Sequence, residues 1–428
     1  MYIDEIMPNR LNNDFELRDA GYSNYEDTVN LARHRWYYYK EGFSPFLVDK
    51  AIEKVCTNEN DIVIDPFNGS GTTTLAASAK GFKSVGIEVN PFTSFLSDAK
   101  QKNTGADSID YWSERVLSST NKTATSDLIG FSTFSKTKGA EKWLFNNSVL
   151  NAFEAGWQAT DKIDSYHTKR LLRLSLIIGA MDNCNATRDG KCLRYRLSWK
   201  EKKYNKESFQ NSVEEIIKVI KQDVENQPLS VKADIINGDA RKILKERELE
   251  KFKLCVTSPP YLNTFDYTDI YRPELFLGKF VETNQQLYNI RLTTVRSHIQ
   301  AQWESPTFND FGMLYQQAMC HLQANPDKLM DKNILKMVQA YFEDMLSILR
   351  LLKSKAAKDA ELWLVVSNSA YANRELPVDL ILGDIGTQAG WFLKEIGVLR
   401  HIQRRKTKHS PDVLDLRESV IIFQANKK

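Results

Sequence analysis

A short apolar segment of the chain ends at two consecutive prolines followed by a tyrosine. Residues 253–257 have the composition of a buried strand, and Pro259 and Pro260 prevent it from continuing, because neither can donate a ladder hydrogen bond and each fixes φ. The corner carries Ser258 on one side and Tyr261 on the other. Its free carbonyl oxygens and aromatic face suit a flat ring with an exocyclic amino group. The alternative is a strand end and turn in which Tyr261 only packs.

A turn with two glycines follows another predicted strand, at residues 61–65. It comprises Asp65, Pro66, Phe67, Asn68, Gly69, Ser70, Gly71, Thr72 and Thr73, and it leads into a predicted helix. Strand, glycine turn and helix in this order are typical of nucleotide binding by a doubly wound sheet, because Gly69 and Gly71 allow close backbone approach to a ligand. The third glycine of the dinucleotide fingerprint and the lysine of the phosphate-binding loop are absent. We therefore predict a nucleoside-like ligand without phosphate.

Acidic residues end two further predicted strands. Glu88 can accept the two hydroxyls of a ribose, or it is a solvated turn residue. Asp239 can accept the amino group of an adenine, or it caps the helix that begins near Arg241. Ligands of open α/β sheets bind at the carboxyl ends of the strands, and Asp65, Glu88, Asp239 and Ser258 all fall at such ends.

The remaining periodic segments complete an α/β fold. Ser44 and Pro45 predict a helix start, because they suit the cap and the first helical position. Apolar spacing predicts helices over 334–352 and near 379–388, and strands near 362–366, 391–398 and 420–423. These elements predict a doubly wound, mostly parallel sheet.

The strand–helix rhythm divides the chain into six segments. We expect an N-terminal arm (1–30), a core in three parts (31–104, 231–280 and 334–428), a helical insertion (105–230) and a second insertion (281–333).

Basic residues outside the predicted sheet are candidate contacts for a phosphate backbone, although such residues are also common on solvated surfaces. They are Arg188, Lys191, Arg194 and Arg196, interleaved with aromatic residues in the first insertion, Arg291 and Arg296 in the second, and Arg404 and Arg405 in a late loop.

The composition is that of an ordinary globular protein. The net charge is only +3, so a nucleic-acid surface must be a local patch. No apolar run is long enough for a membrane span, and the first residues do not resemble a signal peptide. The five cysteines are scattered and predict neither a disulfide framework nor a zinc site, so we expect a cytoplasmic protein.

With these features placed, the chain resembles S-adenosylmethionine-dependent DNA amino-methyltransferases, and among them the cytosine-N4 class with a Ser-Pro-Pro-Tyr motif. The glycine turn resembles the cofactor motif of the family, and residues 258–261 resemble its catalytic motif. Residues 40–45 resemble the segment at the methionine end of the cofactor. The resemblance implies a seven-stranded, Rossmann-like sheet. The long insertion before Asp239 departs from the family pattern, which leaves the target-recognition region open.

The resemblance also implies roles for residues. S-adenosylmethionine would be held by Phe43, Ser44, Asp65, Pro66, Phe67, Gly69, Ser70, Gly71, Thr72, Thr73, Glu88, Val89, Asp239 and Ala240. Ser258 and the Pro259 carbonyl would hold the target amino group in the corner that Pro260 completes, and Tyr261 would stack on a flipped base. No metal is implied.

The implied partner is double-stranded DNA, and the implied location is the prokaryotic cytoplasm, in association with the nucleoid. The sequence leaves open whether a restriction nuclease or defence-system subunits accompany the protein. Three alternatives remain at this point: a DNA adenine-N6 methyltransferase, an RNA guanine-N2 methyltransferase, and a non-catalytic cofactor-binding subunit of a defence complex.

Overall fold

A computed structural model describes residues 10–19, 21–189, 192–404 and 406–426. The predicted contacts Lys191 and Arg405 lie outside this range. No helix in the described part of the chain combines the length and apolarity needed to span a bilayer.

The described residues form eleven strands and fourteen α-helices. The strands are β1 (Ile62–Asp65), β2 (Lys83–Glu88), β3 (Ala186–Asp189), β4 (Cys192–Tyr195), β5 (Asp234–Asn237), β6 (Phe252–Thr257), β7 (Ala356–Ser367), β8 (Ser369–Tyr371), β9 (Arg374–Leu376), β10 (Phe392–Gln403) and β11 (Asp415–Gln424). The helices are α1 (Pro45–Val55), α2 (Thr72–Ala79), α3 (Pro91–Lys100), α4 (Ala106–Ser119), α5 (Asn147–Thr160), α6 (Tyr166–Asp182), α7 (Lys206–Asn226), α8 (Ala240–Glu246), α9 (Tyr267–Ile270), α10 (Arg272–Leu277), α11 (Asn284–Thr293), α12 (Met313–Ala324), α13 (Ile334–Lys355) and α14 (Val378–Gln388).

Seven strands form the central sheet in the order β10-β11-β7-β6-β1-β2-β5. β5, β2, β1, β6 and β7 are parallel, whereas β11 is antiparallel to both of its neighbours. The predicted α/β class, with a mostly parallel sheet, is confirmed. The strand order reverses between β1 and β6, and a crevice opens beyond the carboxyl ends of strands at such a switch point.

Both faces of the sheet are buried, which explains why the parallel strands are apolar throughout. In β1, Ile62 and Ile64 pack with α13 and α14 on one face, and Val63 packs with α1 and α2 on the other. Ser44 caps α1 by accepting a hydrogen bond from the Phe46 N–H, and Pro45 is its first residue, as predicted.

Helices α3 to α7 and the β3–β4 hairpin lie in the chain between β2 and β5. Their apolar faces form a third core that also takes in Trp36 and residues of α9 and α10. The helical segment is therefore packed against the part of the chain that follows β6, close to the crevice.

One buried carboxylate joins the segment before α1 to this helical segment. Asp223 of α7 accepts hydrogen bonds from the Arg33 N–H at 2.8 Å and the Trp36 Nε1–H at 2.8 Å, and it pairs with Arg35. Its side chain is 3% exposed. The Arg33 N–H and the Trp36 indole N–H thus share one buried acceptor, whereas Arg35 is partly exposed and also donates to Gln222.

Asp223→Ala should lower the free energy of unfolding by about 3–5 kcal/mol, because it leaves buried donors without an acceptor. Urea denaturation measures this. Asp110→Ala is the control, since it removes the exposed partner of Lys221 on the same helix and should cost less than ~1 kcal/mol. Equal losses in the two variants would contradict the role of Asp223.

Candidate functional site

A single cavity of about 430 Å³ is lined by both motifs of the sequence. Ser258, Pro259, Pro260 and Tyr261 all border it. Among the predicted cofactor residues, those that border it are Phe43, Asp65, Pro66, Phe67, Gly69, Ser70, Thr72, Glu88, Val89, Asp239 and Ala240. The glycine turn and the Pro-Pro corner therefore face the same space.

Three predicted cofactor residues lie behind the cavity wall. Ser44 is buried as the cap of α1 and donates to Asp27 at 2.8 Å. Thr73 is buried and donates to the Val256 carbonyl at 3.0 Å, which fixes the start of α2 against β6. Gly71 packs against Ser97. These three residues support the wall and do not line the cavity.

The glycine turn needs both of its glycines. Gly69 has φ +48°, and a Cβ there would lie 3.1 Å from the Tyr39 hydroxyl. Gly71 has φ +87°, and a Cβ there would lie 2.4 Å from Ser97 Oγ. Both residues thus combine left-handed backbone with close packing, which only glycine tolerates without strain.

Glu88 is held at the end of β2 by backbone donors. Its carboxylate accepts from the Gly69 N–H at 2.7 Å and from the Asn90 N–H at 2.8 Å. Burial raises the pKa of Glu88 above its ordinary value. These two hydrogen bonds fix the Glu88 side chain and join the glycine turn to the segment that follows β2.

Asp239 combines the two roles considered from the sequence. It is the N-cap of α8, accepting from the Arg241 N–H at 2.9 Å, and it pairs with the Arg241 guanidinium at 2.8 Å. It also borders the cavity. Capping is thus observed, and contact with a ligand stays a proposal.

Asp65 joins the two motifs directly. It accepts from the Thr257 hydroxyl at 2.5 Å and from the Phe67 N–H at 2.9 Å, and it is 2% exposed. Burial raises the pKa of Asp65 to about 6. No cation is paired with it among the described residues.

Glu41 is a third carboxylate of the cavity; it is half-buried and lies in the segment predicted to precede α1. It accepts from the Tyr271 hydroxyl, and burial raises its pKa. Glu41, Asp65 and Glu88 therefore border one cavity, and none of them forms an ion pair within the described residues, which suits a cationic ligand.

Two stacked tyrosines form an aromatic wall of the cavity that the sequence did not predict. Tyr39 and Tyr271 stack with ring centroids 5.6 Å apart and planes 18° apart, and both border the cavity. The four-residue spacing of Tyr267 and Tyr271 beyond the corner was the available signal. Arg400 and Glu418 also border the cavity, although no local pattern marks them.

Several predicted phosphate contacts are occupied inside the protein. Arg188 pairs with Glu274, which is fully buried. Arg291 pairs with Asp266 at 2.6 Å, and Arg296 with Asp344 at 2.8 Å. These internal ion pairs leave the three guanidinium groups unsuited to an external phosphate.

The other described candidates are more open. Arg194 is 65% exposed, although it pairs with Asp189. Arg196 donates to the Cys184 carbonyl and Arg404 to the Val413 carbonyl, and both are half-buried. Arg194, Arg196 and Arg404 therefore stay predicted DNA contacts.

Asp65→Asn should remove a pH-dependent loss of stability. The pKa of Asp65 is raised from 3.8 to about 6 in the folded protein, so ionisation of its carboxyl disfavours folding. The free energy of unfolding of the wild type therefore falls as the pH rises from 3.8 to about 6, and it stays lowered at higher pH. Asparagine keeps an acceptor for Thr257 and Phe67 but carries no charge.

We therefore expect the Asp65→Asn variant to be more stable than the wild type at pH 8 and similar at pH 4, measured by urea unfolding. Asp110→Asn, at an exposed position, should gain nothing at pH 8. If the wild type became more stable relative to the Asp65→Asn variant as the pH rises, the raised pKa of Asp65 would be contradicted.

One family model and two Type II methyltransferases are similar to this chain. The family N6_N4_Mtase, described as DNA methylase, matches residues 8–96. The Type II methyltransferase M.BsoBI of Geobacillus stearothermophilus is 26% identical over 453 aligned residues, covering 94% of this chain and 87% of that protein. The Type II methyltransferase M.AvaI of Anabaena variabilis is 25% identical over 416 residues, covering 86% of this chain and 80% of that protein.

Among solved structures, the rRNA methyltransferase aviRa of Streptomyces viridochromogenes aligns with a TM-score of 0.29 and 10% identity, covering 90% of this chain and 85% of that one. The family match and the two relatives support a DNA methyltransferase, without distinguishing N4 of cytosine from N6 of adenine as the acceptor.

Proposed function

We propose that this protein transfers a methyl group from S-adenosylmethionine to N4 of a cytosine flipped out of duplex DNA, as the methyltransferase of a restriction-modification system. The observation that carries the proposal is the single cavity lined by both the glycine turn and the Ser258–Tyr261 corner. A donor held by the turn and an amino group held by the corner would share that space.

The residues around the turn fit the cofactor. When bound, S-adenosylmethionine supplies a methyl group on a positively charged sulfur. Three carboxylates, the buried Asp65 and the half-buried Glu41 and Glu88, complement its two positive charges. In this proposal Asp65 lies near the amino-acid end, Glu88 near the ribose and Asp239 near the adenine.

The corner fits the acceptor. Ser258 Oγ and the Pro259 carbonyl oxygen would accept hydrogen bonds from the target amino group. These bonds would draw its nitrogen toward tetrahedral geometry and free a lone pair that is otherwise delocalised into the ring. Buried hydrogen bonds contribute about 1–3 kcal/mol, and positioning of reactants contributes up to about 7–11 kcal/mol.

A base inside a duplex cannot reach this cavity and must be flipped, at a cost of a few kcal/mol. Stacking on Tyr261 would offset about 1–3 kcal/mol of that cost. The serine at the first position of the motif favours cytosine over adenine, by resemblance to the cytosine-N4 class.

A groove on the helical segment supports DNA as the substrate. We name it the lysine groove; its basic residues are Lys136, Lys142, Lys200, Lys202 and Lys203. All five are exposed, and none has a carboxylate partner among the residues that the structure describes. Trp143 and Trp199 lie between them with ring centroids 4.8 Å apart. Unpaired lysines with interleaved aromatic rings suit a phosphate backbone.

The lysine groove is connected to the cavity through the β3–β4 hairpin. Trp199 contacts Tyr195 of β4, with centroids 5.4 Å apart. Arg188 of β3 lies over the ring of Tyr271, which borders the cavity. In this proposal the DNA backbone contacts the lysine groove while one base enters the cavity.

The direct experiment is expression in a host without DNA methylation, followed by separate digestion of genomic DNA and total RNA to nucleosides and mass spectrometry, with the same host carrying an empty vector as the reference. We expect N4-methylcytosine. N6-methyladenine would overturn the cytosine assignment but keep the enzyme class. N2-methylguanosine in RNA above the empty-vector level would support the RNA-methylating alternative and contradict the proposal. No added modified base, with cofactor bound to the purified protein, would support the non-catalytic alternative and contradict the proposal as well.

Tyr261→Ala should lower kcat/KM for DNA roughly five- to hundredfold, because it removes ~1–3 kcal/mol of stacking. Cofactor affinity, measured by calorimetric titration, should stay nearly unchanged. Tyr111→Ala removes an exposed aromatic side chain of α4 and should change neither quantity. An equal loss of cofactor affinity in Tyr261→Ala would contradict this division of roles.

Replacing Lys200, Lys202 and Lys203 with glutamine should flatten the dependence of DNA affinity on salt. Each phosphate contact contributes about −0.9 to the slope of log K against log [salt]. The matched control replaces Lys50, Lys218 and Lys221, which pair with carboxylates, and so removes the same net charge. Equal slopes for the two triple variants would show that the groove makes no phosphate contacts.

A further inference from the structure

The hydroxyl of Tyr261 is hydrogen-bonded to the carboxylate of the Glu418–Arg400 ion pair. It donates to Glu418 Oε1 at 2.8 Å, and Glu418 Oε2 accepts from Arg400 Nε at 2.7 Å. Glu418 is 2% exposed, and Arg400 is about one-third exposed with 32%. Tyr261, Glu418 and Arg400 all border the cavity.

The antiparallel direction of β11 explains how Glu418 reaches the corner. Glu418 pairs with Ser367, the last residue of β7, so it lies at the sheet edge where the parallel strands end. On its other side it is directly opposite Arg400 of β10. Oppositely charged residues in such cross-strand positions stabilise each other.

A tyrosine that served only as an apolar wall would not need this arrangement. Stacking needs the ring face, whereas the hydroxyl is bonded to a charged acceptor that is itself fixed by a guanidinium. Hydrogen bonds to ionised groups are shorter and stronger than neutral ones, so the ring is held in one orientation. The Ser258 side chain also interacts with this hydroxyl.

We propose that Glu418, anchored by Arg400, is a positioning residue for methyl transfer: it fixes the Tyr261 ring, and through it the flipped base, against the Ser258 corner. This inference depends on the function proposed above. In this role β10 and β11 help to orient the target base, although both strands are far from the two motifs in the sequence.

The test is a double-variant cycle of Tyr261→Phe and Glu418→Gln. Tyr261→Phe keeps the stacking face and loses only the hydroxyl. Each single variant should lower kcat at saturating genomic DNA by about tenfold, the value expected for loss of a charge-assisted hydrogen bond, with little change in KM. The double variant should also be lowered only about tenfold, because the charge of Glu418 has no further effect on the ring once the Tyr261 hydroxyl is gone.

Urea unfolding of the same four proteins provides a second readout that does not depend on activity. The double variant should lose no more stability than the more affected single variant. Glu418→Asp, whose carboxylate is one methylene shorter, should not restore kcat.

The matched control is Glu154→Gln. Glu154 is also a buried carboxylate, and it pairs with the partly exposed Lys279 at 2.8 Å, but neither residue borders the cavity. Its effect on kcat should be independent of Tyr261→Phe, so that the two effects multiply.

The outcomes are distinguishable. Multiplying effects of Tyr261→Phe and Glu418→Gln, or a Tyr261→Phe variant with wild-type kcat, would overturn the positioning role while the wild type still methylates DNA. A wild type that transfers no methyl group to DNA would refute the proposed function and this inference with it.

Discussion

The site depends on the parallel pairing of β1 with β6. In the observed register Val63 is opposite Leu254 and Ile64 is opposite Cys255, so both strands end at the same edge. There Asp65 accepts a hydrogen bond from Thr257, a residue 192 positions away in the chain. A slip of one residue would turn every side chain of β1 to the opposite face and separate the two motifs.

The cavity beyond this edge differs from the rest of the interior in its electrostatics. Elsewhere, buried carboxylates such as Glu274, Asp344 and Asp379 are matched by arginines. Three carboxylates of the cavity, Glu41, Asp65 and Glu88, instead form no ion pair within the described residues; they accept hydrogen bonds, and burial raises their pKa. Such an arrangement is unfavourable in the empty protein and becomes favourable with a cationic ligand, which is a common cost of a functional site.

The parts of this account that were predictable from the sequence are local. The strand, glycine turn and helix around Gly69 are contiguous, so composition and spacing were sufficient to predict them. The Pro-Pro corner was predictable because proline imposes its conformation on its own residue. The helices near 334–352 and 379–388 follow from apolar periodicity over several turns.

The parts that were not predictable depend on contacts between distant residues. Arg188 belongs to a basic run, and only the fold reveals that Glu274 neutralises it inside the protein. Glu418 meets Tyr261 across 157 positions, through a strand whose residues carry no motif. Charge counting identifies basic segments, but whether a basic residue faces solvent is decided by tertiary packing.

In the proposed reaction, the cofactor and the target base meet in one cavity at the carboxyl ends of β1 and β6. A crystal structure of the protein with S-adenosylhomocysteine and a duplex containing its target tests this most directly. We expect the ligand sulfur between the Gly69 turn and the Ser258 corner, with one base extruded against Tyr261. A ligand bound elsewhere, or a complex in which every base remains stacked in the duplex, would contradict it.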